Sequence, residues 1–390
     1  MENFIYCNPT KILFGKGQIF NLGSEIKNYS NKILFVYGGE SIRKNGVYNE
    51  VLKQLNRYNI IFFELSGVVP NPRISLIKKG IEICREKGIG FILAVGGGST
   101  IDTAKTIAAA VKYDGDPWDL FVKRIPIKEA LPIGTVLTIA ATGSEMNDTA
   151  VITNWEKHEK RMISAEALYP KFSILDPECT YTVPNNQTVF GSIDIMIHLL
   201  EQYFHHDQET MVQDVLCEGL LKTVIKYLTM ALKDPEDYNA RANLMWASSL
   251  ALNGLIGSGV ISDWTTHRIG QEISAIYDIP HGESLAIVWP HWAKYVMEEG
   301  YGKFKQYATN VWGANDEHKT DKEIAIEGID MTEKFFSKMG VGYRLNYLKI
   351  YEKDIEIIAG KVVEPGPVGN FKKLYKEDVI QILKKCFYKD

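Results

Sequence analysis

Asp194 and His198 stand four residues apart in a stretch that otherwise reads Ile193, Ile195, Met196, Ile197, Leu199, Leu200. The pattern over 187–204 predicts a helix, so both side chains leave one face, about 6 Å apart along the axis. A carboxylate and an imidazole set among apolar residues need partners, because unpaired buried polar groups are costly. His267 and His281 are the candidates; His281 follows Pro280 and precedes Gly282. One carboxylate with three neutral imidazoles suits a borderline divalent ion such as Fe(II) or Zn(II). Alone, a helical Asp-x-x-x-His pair is more often solvated or hydrogen-bonded. His158, His205, His206, His291 and His318 read as surface or local structure.

A second chemistry-bearing segment is Phe91-Ile-Leu-Ala-Val-Gly-Gly-Gly-Ser-Thr-Ile-Asp, a strand, a glycine turn and a helix start. Glycine permits unusual backbone angles and a close approach of ligand to main chain. A helix opening at Thr100 presents free N–H groups and a positive dipole end, which suit a phosphate. The GxGxxG fingerprint is not met, because Ile101 occupies the third glycine position. Asp102 lies three residues after Ser99, a capping-box spacing, and reads as a residue that holds the loop before it reads as a ligand contact. Thr138, Thr142 and Ser144, in the small-residue loop around Ala140-Ala-Thr-Gly-Ser-Glu, offer hydroxyls to the same ligand.

The elements that must position these groups change in texture along the chain. Strands are expected at 32–37, 60–65, 91–95, 133–138 and 172–175, with helices at 47–58 and 74–87 between them. Apolar runs of that length separated by helices require a parallel sheet covered on both faces. After Pro184 helical patterns dominate, including 187–204, 213–232, 240–255 and 323–339. The expected architecture is α/β plus all-α, with a Rossmann-like domain over 1–180 and a helical, metal-binding and catalytic domain over 181–390.

Composition narrows the function classes. The 390 residues carry a formal charge of -4, without the basic excess of a nucleic-acid binder. No segment approaches the roughly 20 apolar residues of a membrane span, and the start Met1-Glu-Asn-Phe-Ile-Tyr does not read as a secretory leader. Cys7, Cys84, Cys179, Cys217 and Cys386 form no CxxC pair and read as reduced, buried filler, so a cytoplasmic location is expected.

Taken together, these pieces resemble the iron-containing alcohol dehydrogenase family, in its butanol dehydrogenase and broad-range aldehyde reductase branch. The resemblance covers nearly the whole chain. It runs through Pro9-Thr-Lys-Ile-Leu-Phe-Gly-Lys-Gly, Ala94-Val-Gly-Gly-Gly-Ser, Ala141-Thr-Gly-Ser-Glu, Leu175-Asp-Pro, Arg241-Ala-Asn-Leu-Met-Trp-Ala, Ala251-Leu-Asn-Gly-Leu-Ile-Gly and the four spaced ligands. It implies a metal held by Asp194, His198, His267 and His281 in the cleft between the two domains. Cofactor contacts would come from Gly38, Gly39, Ser41, Gly97, Gly98, Ser99, Thr138, Thr142, Asn147 and Lys160, with Glu40 and Asp102 beside them. The implied reaction is oxidation of alcohols and reduction of aldehydes of short to medium chain, by a homodimer.

Two departures stand out. Glu40 lies where NADPH-using relatives commonly have a third glycine, and a carboxylate there disfavours a 2′-phosphate. Gly39, Ser41, Arg43 and Lys44 nonetheless leave room and donors, so NADP is expected with NAD as the alternative. Gln271 stands four residues after His267, where many relatives carry histidine, and is expected with His267 among the catalytic residues. Glutamine cannot titrate, so it would orient a water or the cofactor. The rival readings are a polyol dehydrogenase or a dehydroquinate-synthase-like lyase of the same superfamily, and a non-enzymatic metal or nucleotide binder. A lyase acting on a phosphorylated acid should show extra Lys or Arg near the ligands, and only Arg268 is there.

Overall fold

The computed structural model describes all residues except 124, 208, 316, 343, 365 and 388–390. The chain divides into two compact units, one of residues 7–188 with 229–253 and one of residues 1–6, 189–228 and 254–390.

The first unit is α/β. Its strands are β1 (Lys11–Phe14), β2 (Lys32–Tyr37), β3 (Ile61–Leu65), β4 (Phe91–Gly96), β5 (Ile133–Leu137), β6 (Thr149–Asn154), β7 (Glu159–Ser164) and β8 (Phe172–Leu175). Six form a parallel sheet in the order β1-β8-β5-β4-β2-β3. Alternate residues serve opposite faces. Leu34, Val36, Ile92 and Ala94 pack with Ile77, Ile101, Ala104 and Ile107 on one side. Ile33, Phe35, Phe91, Leu93 and Val95 pack with Val51 and Leu55 on the other. The unbroken apolar runs of β2 and β4 are the consequence of this two-sided burial.

The expected strands and connecting helices are present, and two features go beyond them. β1 adds a short, half-exposed edge strand beside β8. β6 and β7 form an antiparallel hairpin. Its connection is a 3-10 turn over Trp155–Lys157, closed by His158 at φ 50 and by the Asn154 side chain accepting from the Lys157 N–H. It lacks the Asn-Gly or Asp-Gly pair that marks a two-residue hairpin.

This unit also contains the helix Tyr238–Ala251, from the half of the sequence expected to be the helical domain. Buried Arg241 donates to the Thr188 hydroxyl at 2.9 Å and to the Pro235 carbonyl at 2.8 Å, and Ser249 donates to Glu145 at 2.5 Å. A single cut after residue 180 therefore does not coincide with the compact units, because the chain returns to the first one.

The second unit is helical. It includes Thr265–Tyr277, His281–Val296, Tyr301–Trp312, Asp321–Lys338, Ile355–Val362 and Lys376–Phe387, besides most of Asn185–Tyr203. Phe204, Trp289, Trp292, Phe304 and Tyr307 fill its core, with Phe204 stacked on Phe304 at 4.2 Å between centroids. Among the described residues no helix is long and apolar enough to cross a membrane. The five cysteines are unpaired. Four are buried as expected, while Cys7 is exposed.

Candidate functional site

The helix Asn185–Tyr203 sets the first two candidate ligands one turn apart in the helical unit. Asp194 and His198 are both buried, and the His198 Nε2 lies 3.8 Å from the Asp194 Oδ1. The helix Thr265–Tyr277 brings the His267 Nε2 to 3.5 Å from the same oxygen. The first residue of the next helix, His281, places its Nε2 3.9 Å from it. Ligand atoms of Asp194, His267 and His281 all lie within 4.8 Å of one another. His198 lies outside that three-residue group, with its ring stacked on His267 at 4.4 Å between centroids. Trp264 packs edge-on against His267 at 5.5 Å.

Two of these atoms test whether an ion fits. Among the described residues, the buried Asp194 Oδ1 and His267 Nε2 have no hydrogen-bond partner. Such atoms are rare in folded proteins and call for an explanation. Donors bound tetrahedrally at about 2.1 Å from one ion lie roughly 3.4 Å apart, close to the separations found here. The donor set and its spacing fit a divalent metal.

Electrostatics agree. Burial works against an ionised Asp194, but the three imidazoles around it outweigh burial and hold its carboxyl well below the usual carboxylate range. Burial lowers the His198 imidazole to about 4, leaving it neutral with a free lone pair. Burial acts the same way on His267, yet the Glu201 and Asp194 carboxylates prevail and push it up to about 9. A cation entering the site displaces that proton.

Glu201 was not singled out from the sequence. Fully buried, it accepts from the Nδ1 of His267 and from the backbone N–H groups of Thr266 and His267, at 2.5 and 3.1 Å. The signal was present: Glu201 lies three residues after His198 and seven after Asp194, on the same helical face. Gln271 is half-buried, one turn beyond His267. Arg268 turns to the carbonyls of Lys361 and Val362 and pairs with Glu272 at 2.9 Å. The cation a phosphorylated substrate would need is thus committed to structure.

In the α/β unit, the predicted cofactor residues gather at the carboxyl ends of three neighbouring strands. Gly38, Gly39, Glu40 and Ser41 follow β2, Gly97, Gly98 and Ser99 follow β4, and Thr138 and Thr142 follow β5. Open parallel sheets bind ligands at that edge. The helix after β4 begins at Gly98 rather than Thr100, with Gly97 as its N-cap. None of Gly96, Gly97 and Gly98 has a positive φ. Space is what they supply: a Cβ would meet Thr100 Oγ1 at 2.4 Å from Gly96, Ile139 Cγ2 at 2.1 Å from Gly97 and Thr142 Oγ1 at 2.2 Å from Gly98.

Asp102 does not complete a capping box with Ser99. It accepts from the Ser144 hydroxyl at 2.6 Å and the Val151 N–H at 3.0 Å, tying the β4 loop to the loop after β5. Lys105, buried one turn further, donates to the Asn147 carbonyl and side-chain oxygens at 2.8 and 2.9 Å and to the Thr149 carbonyl at 2.9 Å. Burial lowers its amine to about 8, against the pull of Asp102, Asp148 and Glu145. Lys160, on β7, donates to the Asn71 side chain at 2.9 Å. Glu40 is exposed. Arg43 donates to the Tyr37 hydroxyl at 2.7 Å, pairs with Glu64 at 3.3 Å and lies over the Tyr48 ring at 3.9 Å.

Known proteins are similar to this chain along nearly its whole length. Residues 9–177 match the family model for iron-containing alcohol dehydrogenase, and residues 188–387 match the C-terminal model of the same family. The chain is 50% identical to a probable NADH-dependent butanol dehydrogenase of Bacillus subtilis, covering 98% of this chain and 99% of that protein. It is 39% identical to the NADPH-dependent aldehyde reductase YqhD of Escherichia coli, over 94% of each. The crystal structure of NADH-dependent butanol dehydrogenase A from Thermotoga maritima superposes with a TM-score of 0.95 at 42% identity, covering 100% of this chain and 99% of that one. With two family models together spanning nearly every residue, the chain belongs to the iron-containing alcohol dehydrogenase family.

Proposed function

We propose that this chain is a metal-dependent NAD(P)(H) alcohol dehydrogenase and aldehyde reductase of short- to medium-chain primary alcohols and aldehydes, butanol and butanal among them. The observation that carries the reading is the buried polar group, with Asp194 Oδ1 and His267 Nε2 left without hydrogen-bond partners among the described residues, in a chain half identical to a probable butanol dehydrogenase. Residues 1–180 hold the dinucleotide, and 181–390 supply the metal ligands with the catalytic pair His267 and Gln271.

Asp194, His198, His267 and His281 hold one divalent ion, Fe2+ first and Zn2+ second. When bound, such an ion would supply Lewis acidity and the nicotinamide would supply hydride chemistry. The N–H groups at Gly98 and Ser99 open a long helix and bind the pyrophosphate. Asp102 and Lys105 keep the two loops together, so that Thr138, Thr142 and Asn147 meet the cofactor at a fixed spacing. Gln271 holds a water or the cofactor by hydrogen bonds.

Of the two dinucleotides we place NADH first. Arg43, expected as a donor to a 2′-phosphate, is already engaged by Tyr37 and Glu64, and the Glu40 carboxylate repels such a group. We further propose a cytoplasmic homodimer; Met211, Val212, Val215 and Leu216, all exposed on one side of their helix, support self-association. Sedimentation of the purified protein tests the dimer.

The activity test follows the nicotinamide absorbance with aldehydes from acetaldehyde to octanal, in Fe(II)- and Zn(II)-loaded protein. Turnover of butanal is expected with metal and lost on chelation. Asp194→Ala should hold less than a tenth of an equivalent of metal and keep dinucleotide binding. Metal-independent turnover, or a full equivalent in Asp194→Ala, would overturn the site.

A further inference from the structure

His267 has two ring nitrogens, and only the one that carries no proton can bind an ion. Its Nδ1 faces a carboxylate oxygen of Glu201, while its Nε2 faces Asp194 at 3.5 Å. Glu201 is fully buried and belongs to the helix that also carries Asp194 and His198. The carboxylate also accepts from the Thr266 and His267 N–H groups, in the first turn of the His267 helix. That helix has no side-chain cap from its own N-cap residue, Trp264, which sits at φ 66. The Glu201 carboxylate thus meets the positive end of the helix and the imidazole it carries at one point.

We propose that Glu201 is the positioning residue that makes His267 a metal ligand. It takes the Nδ1–H, leaves the Nε2 lone pair directed at the ion, and adds the second negative charge that, with Asp194, balances a divalent cation. The inference rests on the reading of Asp194 and His267 as ligands. The two carboxylates lie two helical turns apart on one face, so a single helix supplies both charges. Partners of this kind fix the tautomer of a ligating histidine and raise its basicity.

Glu201→Gln is the informative variant, because an amide cannot satisfy both sides of this contact. With its oxygen kept on the Thr266 and His267 N–H groups, its NH2 faces Nδ1 and demands a proton on Nε2, which removes the lone pair the ion needs. With the amide reversed, the NH2 faces two N–H donors. Glu201→Asp keeps charge and acceptors at a shorter reach and should recover part of the loss.

The experiment compares wild type, Glu201→Gln, Glu201→Asp and Asp194→Ala for Co(II) and Zn(II) affinity by chelator competition, with dinucleotide binding as the control for folding. Glu201→Gln should bind metal roughly 10- to 100-fold more weakly, with Glu201→Asp between it and wild type. A capping role alone would lower the thermal midpoint of all Glu201 variants and leave metal affinity unchanged. Wild-type affinity in Glu201→Gln, with Asp194→Ala impaired, overturns the role of Glu201 and keeps the site. Wild-type affinity in Asp194→Ala overturns the site itself. Should Glu201→Gln fail to fold, nitrogen-15 NMR of the zinc-loaded wild type decides: a proton on Nδ1 of His267 is required, and its absence refutes the proposal.

Discussion

Gly282 lies against the backbone of Phe190 so closely that a Cβ on it would stand 2.1 Å from the Phe190 carbonyl oxygen and 2.9 Å from its Cα. Both residues flank the Asp194–His281 cluster: Gly282 follows His281, and Phe190 precedes Asp194 by one helical turn. The approach of these two helices is what carries the His281 imidazole to within 3.9 Å of Asp194. No flexible side-chain end takes the clash, so Gly282→Ala must move backbone. Overpacking of this sort costs about 1–3 kcal/mol. The expected outcome is a protein that keeps dinucleotide affinity and binds Zn(II) at least several-fold more weakly. Unchanged Zn(II) affinity would show that the helix spacing is not what sets His281.

Lys105 gives the α/β unit a pH dependence of known sign. Its folded pKa, lowered to about 8, lies below the ordinary lysine value of 10.5, so between these values the unfolded chain binds more protons than the folded one. Stability from this group is full above the unfolded value and is lost as pH falls through about 8, by about 3 kcal/mol in all. Lys105→Met removes the titration together with three buried hydrogen bonds. Relative to that variant, the wild-type thermal midpoint should rise as pH goes from about 8 to about 10. A constant difference between the two curves would mean that Lys105 does not titrate there. The same substitution releases Asn147, so the KM for the dinucleotide should rise more than kcat falls.

The strand pattern of 32–37 or 91–96 was legible because each strand is buried on both faces, and burial writes itself as an unbroken apolar run. The buried polar cluster was legible for the opposite reason: Asp194 and His198 interrupt an apolar helix. Long-range pairing left no such mark. Asp102 sits at a capping-box spacing from Ser99, yet its carboxylate reaches Ser144 and Val151, 42 and 49 residues away. The glycines before Ser99 are expected to supply unusual backbone angles and a close ligand approach, yet none has a positive φ, and Ile139 and Thr142 press on Gly97 and Gly98. Glu201 has a signal in the helical spacing, but its partner on His267 is 66 residues distant. The return of 238–251 to the α/β unit has no sequence punctuation, since a helix packed on either unit shows the same periodicity.

We propose that cofactor choice turns on Glu40. It is exposed beside Gly39 after β2, at the sheet edge where the adenosine ribose is expected. Replacing it with glycine removes a charge that opposes a 2′-phosphate. The ratio of kcat/KM for NADPH to that for NADH should rise roughly three- to tenfold in Glu40→Gly, the scale of a charge pair in water, and the rise should shrink with added salt. Identical ratios for both proteins would make Glu40 a solvent-facing residue with no part in selectivity.

Gln271 is the sharpest test of how this chain handles the proton that accompanies hydride transfer. It stands one turn after His267 and is half-buried, where an imidazole would titrate near neutral pH. An amide offers two N–H donors and one acceptor at any pH, so it can hold a water or a ribose hydroxyl but cannot take the proton itself. General acid–base assistance is worth roughly 10²- to 10⁴-fold, which sets the scale of what an imidazole at this position can add or misdirect. Gln271→His is therefore expected to introduce a new ionisation at roughly pH 6–7 in the kcat profile, with kcat changed by about tenfold or more on one side of it. Gln271→Leu, which keeps the volume and removes the hydrogen bonds, should lower kcat with little effect on Zn(II) affinity. If the histidine variant gives the wild-type rate and profile, and the leucine variant turns over as well, Gln271 only packs the helix.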